Sequence, residues 1–307
     1  MITLQESLRA VFYAPFYATL AAGGFAREGV EVRFVSSPVP GRALEGLMNG
    51  TVDVGWGGPM RVNEGAATIP GADIVCFAEV VTRDPFFLVT SQALGEDRGV
   101  FGPQHLAGLR LGSVSEVPTP WLCLQHDMRL AGVDPASVVR TTDQTMAQNA
   151  AALLAGELDV AQLFQPYVEE LVEAGCRVWY AQADRGPCSY TTFYARRGVL
   201  TAKREELAGM VRALQSTLRW VHDVDAVELA GIVGEYFPDV PQPLLAAALR
   251  RYQALGIWGR DAVLPRAGYD RLRDSLVTGG LVRTGLSYED AVDNSLAQAA
   301  RASVHGG

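Results

Sequence analysis

The chain has 307 residues, of which 49% are apolar, and its 26 basic and 34 acidic residues give a formal net charge of −8. This length and composition are typical of a well-packed globular protein with room for two domains, and they exclude a disordered chain. The acidic balance argues against a nucleic-acid-binding protein, which usually carries a basic surplus.

The first 58 residues alternate between strand and helix patterns. Apolar or alternating runs predict strands at Ile2–Leu8, Val30–Val35 and Val52–Trp56. Spacing near 3.6 residues predicts helices from Leu20 to about Glu28 and over Arg42–Asn49. Strands separated by helices indicate a parallel sheet, which binds ligands beyond the carboxyl ends of its strands. Those ends carry aromatic residues and glycines instead of catalytic acids or bases, which favours a binding cleft.

A second α/β block lies between two extended apolar segments, Asp84–Thr90 and Tyr190–Ala195, which we predict to be hinge crossings. Its strand patterns are Leu109–Val114, Val138–Thr142, Leu158–Leu163 and Cys176–Tyr180, and its helix patterns are Pro120–Ala131, Met146–Ala155 and Val168–Ala174. After Ala195 the chain is mainly helical, and we expect those helices to cover the first domain. They are predicted at Lys203–Asp223, Ala226–Tyr236, Pro243–Leu255, Ala267–Thr278 and Glu289–Ala300.

The two halves share a signature. Asn49–Trp56 and Ala155–Gln162 both read as a helix end, a glycine, and then a strand containing Asp-Val. Each glycine is placed to end a helix just before a strand whose carboxyl end faces the cleft. We therefore predict an α/β protein with two lobes, each a mixed, mostly parallel sheet flanked by helices. Residues 1–88 and 195–307 are assigned to lobe I, and residues 89–194 to lobe II.

Five motifs in this order resemble the type II periplasmic-binding-protein fold, in the branch that binds nitrate, sulfonates, taurine and thiamine-pyrimidine precursors. They are Tyr13–Tyr17, Gly24–Val32, Ala43–Gly55, Leu106–Ser113 and Phe164–Tyr167. The resemblance implies a solute-binding protein that closes by hinge motion around a small aromatic or heterocyclic molecule, without covalent chemistry or a cofactor. It also implies ABC-type uptake, with a permease as a partner.

Enzymes belong to the same branch, so an enzyme or a cytosolic ligand sensor stays open as an alternative. The similar fungal-type pyrimidine precursor synthases place a pyridoxal-phosphate lysine and a histidine where this chain has Gly57 and Arg61, and an iron-binding cysteine run where only Cys188 remains. A Schiff base needs the amine, so that activity is not expected. Aryl-sulfinate desulfinases carry a cysteine just after the first strand, which Leu8–Phe16 lacks. A decarboxylase remains open.

The sequence predicts neither a metal site nor a membrane anchor. Its four cysteines form no CxxC pair, and its four histidines are scattered. No apolar run reaches the roughly 18–20 residues that cross a bilayer. Because the chain opens directly into a strand pattern without a secretory signal, we expect a cytoplasmic protein, or a periplasmic one if a signal was removed. We expect a monomer.

Two segments of the first half supply candidate ligand-binding residues. In the turn Arg9–Tyr17, Tyr13 and Phe16 are candidates to stack on a flat ligand, although either ring can instead hold the following helix to the sheet. In the second segment, Trp56 can stack, Gly57 and Gly58 let backbone N–H groups approach the ligand, and Arg61 can pair with a carboxylate or sulfonate. A core tryptophan and a solvated arginine remain the alternatives.

The third candidate segment is the loop that leads from a strand to a proline-marked helix start. Ser113, Ser115 and Thr119 are possible donors there, and the arrangement outlines a site for an anion. Glu116 opposes that interpretation, because an acid beside an anion is unfavourable. It suits a ligand with an amine or ring N–H donors.

The fourth candidate segment follows a strand end in the second block. Gln165 and Tyr167 are placed to hydrogen-bond a ligand. Cys188 is the one cysteine in a predicted cleft loop, and it lacks an assignable base, so we expect contact with the ligand and no catalysis.

Overall fold

The computed structural model describes residues 1–37, 39 and 42–303, whose strands form two five-stranded sheets. The first sheet consists of β1 (Ile2–Glu6), β2 (Val32–Ser36), β3 (Val54–Gly57), β4 (Ile74–Val81) and β10 (Thr191–Arg196). The second consists of β5 (Phe87–Ser91), β6 (Arg110–Gly112), β7 (Val139–Thr141), β8 (Val160–Leu163) and β9 (Cys176–Ala181). We call the halves built on these sheets lobe I and lobe II.

The two sheets have matching topologies. In the first, of order β2-β1-β3-β10-β4, β1 is parallel to β2 and β3, and β10 is antiparallel to both its neighbours. The second, of order β7-β6-β8-β5-β9, repeats this arrangement around β6 and β5. In both, the antiparallel strand follows a segment that has just crossed from the other lobe. The predicted two-lobed α/β fold is confirmed, and the lobe boundaries at residues 88 and 195 stay a prediction.

Helices flank both sheets. In lobe I before the first crossing they are α1 (Ala14–Ala21), α2 (Gly24–Arg27), α3 (Glu45–Asn49) and α4 (Pro59–Thr68). Between the crossings they are α5 (Gln92–Arg98), α6 (Thr119–Leu130), α7 (Met146–Leu154) and α8 (Tyr167–Glu173). After β10 they are α9 (Arg197–Ala202), α10 (Arg204–Trp220), α11 (Ala226–Val233), α12 (Gln242–Leu255), α13 (Arg266–Thr278), α14 (Tyr288–Ala291) and α15 (Ser295–Ser303). None of these helices has the length and apolar character of a membrane span.

Several predicted elements differ from the observed ones. The helix expected from Leu20 begins at Ala14, because Pro15 suits a first helical turn. The helix expected over Glu289–Ala300 is divided into α14 and α15, since Val292 leaves the helix to pair with Cys76 in β4. No element is predicted from the sequence over β4, which is buried along its whole length.

The C-terminal helices are expected to cover the first domain, and two of them also contact lobe II. From α12, Arg251 forms a two-bonded ion pair with Glu169 of α8, with an Nη2–Oε2 distance of 3.1 Å. From α13, Arg271 Nη1 lies 3.4 Å from Asp127 Oδ1 of α6. The two helices are therefore joined to lobe II by two separate ion pairs.

A buried ion pair joins the two crossings, residues 82–86 and 182–190. Asp84 in the first crossing pairs with Arg185 in the second, and both side chains are almost completely buried. Arg185 Nε also donates to Asp127 Oδ2 of α6 at 2.7 Å. Burial lowers the pKa of Arg185, but the carboxylates of Asp84 and Asp127 together hold it well above its ordinary value. The pair fixes both crossings to each other and to lobe II.

Replacing Arg185 by Leu leaves the Asp84 carboxylate buried without its counter-ion. We expect the free energy of unfolding to fall by about 3–5 kcal/mol, as measured by urea denaturation. Asp73→Asn, which removes the exposed ion pair with Arg197, is the matched control and should change stability far less because solvent screens that pair. Equal losses in the two variants would contradict this role for Arg185.

A second buried acid, Glu79 in β4, lies opposite Thr192 of β10. Neither carboxyl oxygen of Glu79 makes a hydrogen bond to another described residue. Burial is the main cause that raises the pKa of Glu79 to about 8. The Ser189 side chain opposes this rise, and the negative charge of Asp261 adds to it. The carboxyl group is therefore protonated at neutral pH in the folded protein, whereas it ionises near pH 4.3 in an unfolded chain.

The folded state thus binds one more proton than the unfolded state between pH 4.3 and 8, so stability falls as the pH rises through that window. The Glu79 contribution has a slope of about 1.4 kcal/mol per pH unit. We expect Glu79→Gln to flatten the decline in denaturation curves collected from pH 5 to 8. The control is Glu205→Gln, on the exposed surface of α10. An unchanged pH profile in Glu79→Gln would contradict the prediction.

Candidate functional site

A small, partly open cavity lies between the lobes, beyond the carboxyl ends of the parallel strands. Ser7 after β1 and Gly58 after β3 contribute to its lobe I wall, and Thr119 at the start of α6 and Phe164 after β8 contribute to its lobe II wall. We call this cavity the inner chamber. Its volume is about 40 Å³, enough for only a few water molecules. A larger ligand therefore enters only when the walls move apart.

The inner chamber has a positive electrostatic character. Arg61, in the first turn of α4, lines it and is only 6% exposed. Its Nη1 donates to Glu64 Oε2 at 2.9 Å. The N-termini of α4 and α6 also face the chamber through Gly58 and Thr119. Pro59 and Pro120 each remove one N–H group from these helix starts, so the attraction for an anion comes from Arg61 and from the partial positive charge of the two helix dipoles.

Hydroxyl groups add neutral hydrogen-bond donors. The Tyr13 hydroxyl lies 3.5 Å from Ser7 Oγ, and burial raises the pKa of Tyr13 to about 12. The Tyr190 hydroxyl is buried and makes no hydrogen bond to another described residue, and burial raises its pKa well above the ordinary value. Both phenols stay protonated at neutral pH and can donate to an acidic ligand.

Aromatic rings from both lobes and both crossings enclose the chamber. Phe12 of lobe I meets Phe164 of lobe II edge to face at 5.2 Å between ring centroids. Phe86 of the first crossing meets Phe164 at 5.2 Å. Tyr190 of the second crossing meets Phe12 at 6.4 Å. These rings form an apolar wall. Because they come from both lobes, movement of either lobe would separate them.

The sequence places Phe12 in the candidate turn Arg9–Tyr17, and Phe164 and Tyr190 in the fourth candidate segment, but it did not indicate Phe86 or Ser7 as binding residues. Phe86 follows a proline immediately before β5, and Phe164 follows β8 directly. Phe164 comes directly after the predicted strand Leu158–Leu163, a position that indicates proximity to the cleft. Phe86 lies inside the predicted extended segment Asp84–Thr90, so its position gave no such signal. Tyr190 was assigned to a strand, and it lies just before β10.

Phe16 and Trp56 lie in the core of lobe I and line neither cavity described for this cleft. Their rings stack at 4.5 Å with an angle of 11°, and Phe34 stacks on the tryptophan at 5.1 Å. The structure therefore places these two predicted residues away from both cavities. Phe16 belongs to α1 instead of a turn, and the helix directs its ring inward.

Three other candidates also lie behind the chamber walls. Gly57 is buried within β3, where a Cβ atom would approach Ser7 Oγ to 3.1 Å. Ser113 Oγ donates to the carbonyl of Thr141 at 3.1 Å, which is a structural bond. Cys188 is fully buried. A hydrogen bond with Cys123 is the largest cause, and burial the second, that raises the pKa of its thiol well above the ordinary value. A thiol in that state is a poor nucleophile.

Three of the remaining candidates line a second cavity, which we call the outer chamber. It has a volume of about 270 Å³ and shares Leu8 and Phe164 with the inner chamber. Glu116, Gln165 and Tyr167 line it. The Gln165 side chain is fully engaged by Glu169, to which its Nε2 donates at 2.8 Å. Ser115 is exposed and lines neither chamber.

Trp56→Ala should affect stability, because it opens a cavity in the core of lobe I. We expect a loss of about 3–5 kcal/mol in the free energy of unfolding, measured by urea denaturation. Trp121→Ala is the control, since that ring is only partly buried. A stable Trp56→Ala protein that had lost ligand affinity would instead place the ring at the ligand.

Comparison with known proteins identifies relatives of the whole chain. Residues 12–224 match the family model described as NMT1/THI5 like. The chain is 21% identical over 306 residues to YtlA of Bacillus subtilis (strain 168), whose name describes a proposed binding protein. That alignment covers 97% of this chain and 89% of YtlA.

Two solved structures illustrate the range of proteins with this fold. The periplasmic sulfonate-binding protein SsuA of a proposed sulfonate ABC transporter from Methylobacillus flagellatus KT superposes with a TM-score of 0.74 at 13% identity, covering 99% of this chain and 94% of SsuA. The desulfurization enzyme DszB superposes with a TM-score of 0.68 at 12% identity, covering 99% of this chain and all of DszB. At such identities the matches establish the fold and leave function to the site.

Proposed function

The chain belongs to the NMT1/THI5-like family, and from its cleft we propose that it is a solute-binding protein for a small organic acid with an aromatic or heterocyclic body. One observation carries the proposal. The inner chamber places the Arg61 guanidinium and two helix N-termini inside a wall of aromatic rings drawn from both lobes. This combination recognises a carboxylate or sulfonate on a flat apolar molecule.

The energetics favour the acidic group as the anchor. A charge-assisted hydrogen bond contributes about 1.5–3 kcal/mol, and planar guanidinium groups pair with carboxylate and sulfonate oxygens through two parallel bonds. Arg61 uses one nitrogen on the partly exposed Glu64. Its other donors remain for the ligand, beside the hydroxyl of Tyr13.

The residues around the two chambers favour binding over covalent catalysis. Among the described residues that line them there is no lysine, histidine or cysteine, and the one carboxylate is Glu116. A nucleophile with an adjacent base is the usual signature of covalent catalysis, and none of the hydroxyl groups described on these walls is hydrogen-bonded to Glu116. The sulfonate-binding SsuA supports the same interpretation, whereas DszB shows that the fold also carries an enzyme.

Delivery of the solute to an ABC-type permease, and a location outside the cytoplasm, are part of the same proposal. They are supported by SsuA, whose description includes both a periplasmic location and an ABC transporter.

The test is a thermal-shift screen of aromatic carboxylates, sulfonates, taurine and pyrimidine precursors, with each compound followed by mass spectrometry. We expect an acid to stabilise the protein and to be recovered intact, since a ligand at 100 times its dissociation constant adds about 2.7 kcal/mol. Arg61→Gln should weaken that binding by about tenfold or more. Arg42→Gln, at an exposed position, should leave it unchanged.

Two outcomes would overturn the proposal. Consumption of the stabilising compound would make the protein an enzyme. Equal affinity of wild type and Arg61→Gln for the acid would remove Arg61 from the site.

A further inference from the structure

The outer chamber contains an acid that the anion site does not need. Glu116 of lobe II lines this chamber, which shares the lining residues Leu8 and Phe164 with the inner chamber. Glu116 Oε1 accepts a hydrogen bond from the Met146 backbone N–H at 3.0 Å. Its Oε2 has one contact described, with Ser115 Oγ at 3.4 Å. That second oxygen is available to a ligand.

The contact with Met146 does not by itself account for Glu116. Met146 begins α7, and this helix already has a complete capping box. Thr145 Oγ1 accepts from the Gln148 N–H at 3.3 Å, and Gln148 Oε1 accepts from the Thr145 N–H at 2.8 Å. The capping box satisfies two of the donors at this helix start, and Glu116 Oε1 satisfies a third, the Met146 N–H. The second carboxylate oxygen, Oε2, takes no part in capping α7.

The one basic residue on the wall of the outer chamber does not neutralise Glu116. Arg9 lies across the chamber in lobe I, where its Nη2 donates to Glu6 Oε1 at 2.7 Å and its Nη1 donates to the Tyr236 carbonyl at 2.9 Å. Its guanidinium carbon also lies 5.7 Å from the centre of the Tyr236 ring. The charge of Arg9 is therefore balanced by Glu6, and no ion pair to Glu116 is found among the described residues.

The other walls of the outer chamber suit the body of an organic molecule. Met146, Phe237 and Phe164 supply apolar surface. Tyr167 supplies a hydroxyl, and burial raises its pKa so that it keeps its proton. A ligand group placed here meets an apolar surround with a carboxylate and a phenol as its polar partners.

We propose that the outer chamber binds an amino or amidino group, so that the solute is an elongated amino acid or amino sulfonate spanning both chambers. Its acidic end lies against Arg61 and its nitrogen end donates to Glu116 Oε2, with the connecting body between Leu8 and Phe164. This assignment rests on the proposed function of the inner chamber, because it needs the acid to be anchored there.

The test compares matched ligands by isothermal titration calorimetry. The pairs are 4-methylbenzoate with 4-(aminomethyl)benzoate, 4-propylbenzoate with 4-(3-aminopropyl)benzoate, and the corresponding benzenesulfonates. In the wild type we expect the amine of at least one pair to bind about tenfold more tightly than its hydrocarbon analogue, the effect of one charge-assisted hydrogen bond. Two lengths are included because the nitrogen must reach the outer chamber.

Glu116→Gln is the decisive variant, because it keeps an oxygen that can accept from Met146 and removes the charge. We expect it to abolish the preference for the amine while the hydrocarbon analogues bind as before. Glu170→Gln, on the exposed side of α8, should keep the preference. Melting temperatures of all variants report whether the fold is retained.

The outcomes separate this inference from the proposed function. If acids bind but no amine gains affinity, or if the gain survives in Glu116→Gln, the inference is wrong and the anion site stands. If neither the amines nor their hydrocarbon analogues bind, and Arg61→Gln behaves as the wild type does, both the inference and the proposed function are wrong.

Discussion

The ion pair between Asp84 and Arg185 is the constraint on which the cleft depends. The two segments that connect the lobes run side by side, and this pair holds them together inside the protein. Asp84 also accepts from the Phe86 N–H at 2.9 Å, which fixes the start of β5. A charge buried without its partner is costly, so the arrangement of the crossings is strongly specified.

From that fixed point the walls of the inner chamber follow. Phe86 lies two residues beyond Asp84, and Tyr190 lies five residues beyond Arg185, so the ion pair sets the back of the chamber. The front comes from the loops after β1, β3 and β8, which belong to different lobes. The inner chamber is thus assembled from the ion-paired crossings and from loops of both lobes, an arrangement that is compatible with hinge closure.

The sequence predicted the fold well because the fold depends on local patterns. The glycine that ends a helix before an Asp-Val strand occurs once in each lobe, at Gly50 and Gly156, and both adopt the positive φ expected of a helix end. Strand ends then indicated which loops approach the cleft, and Tyr13, Gly58, Arg61 and Thr119 do line the inner chamber.

What the sequence could not predict depends on long-range packing. The direction of a ring is decided by where its helix begins, and a helix start six residues earlier than expected places Phe16 against Trp56 in the core. The burial of Ser113 and Cys188 follows from contacts with Thr141 and Cys123, which lie 28 and 65 residues away along the chain. Such contacts have no local pattern.

The ion pairs that join α12 and α13 to lobe II have a consequence for the rate of solute binding. The ion pairs of Arg251 with Glu169 and of Arg271 with Asp127 connect the lobes without any ligand atom. Part of the free energy that favours the closed cleft therefore comes from the protein itself. A solute can enter only the fraction of molecules in which these ion pairs are broken and the cleft is open. The observed affinity is lower than the intrinsic one by that fraction. The association rate of the solute should rise as added salt weakens these partly exposed interlobe ion pairs. This holds even where salt also weakens the attraction of an anion to Arg61.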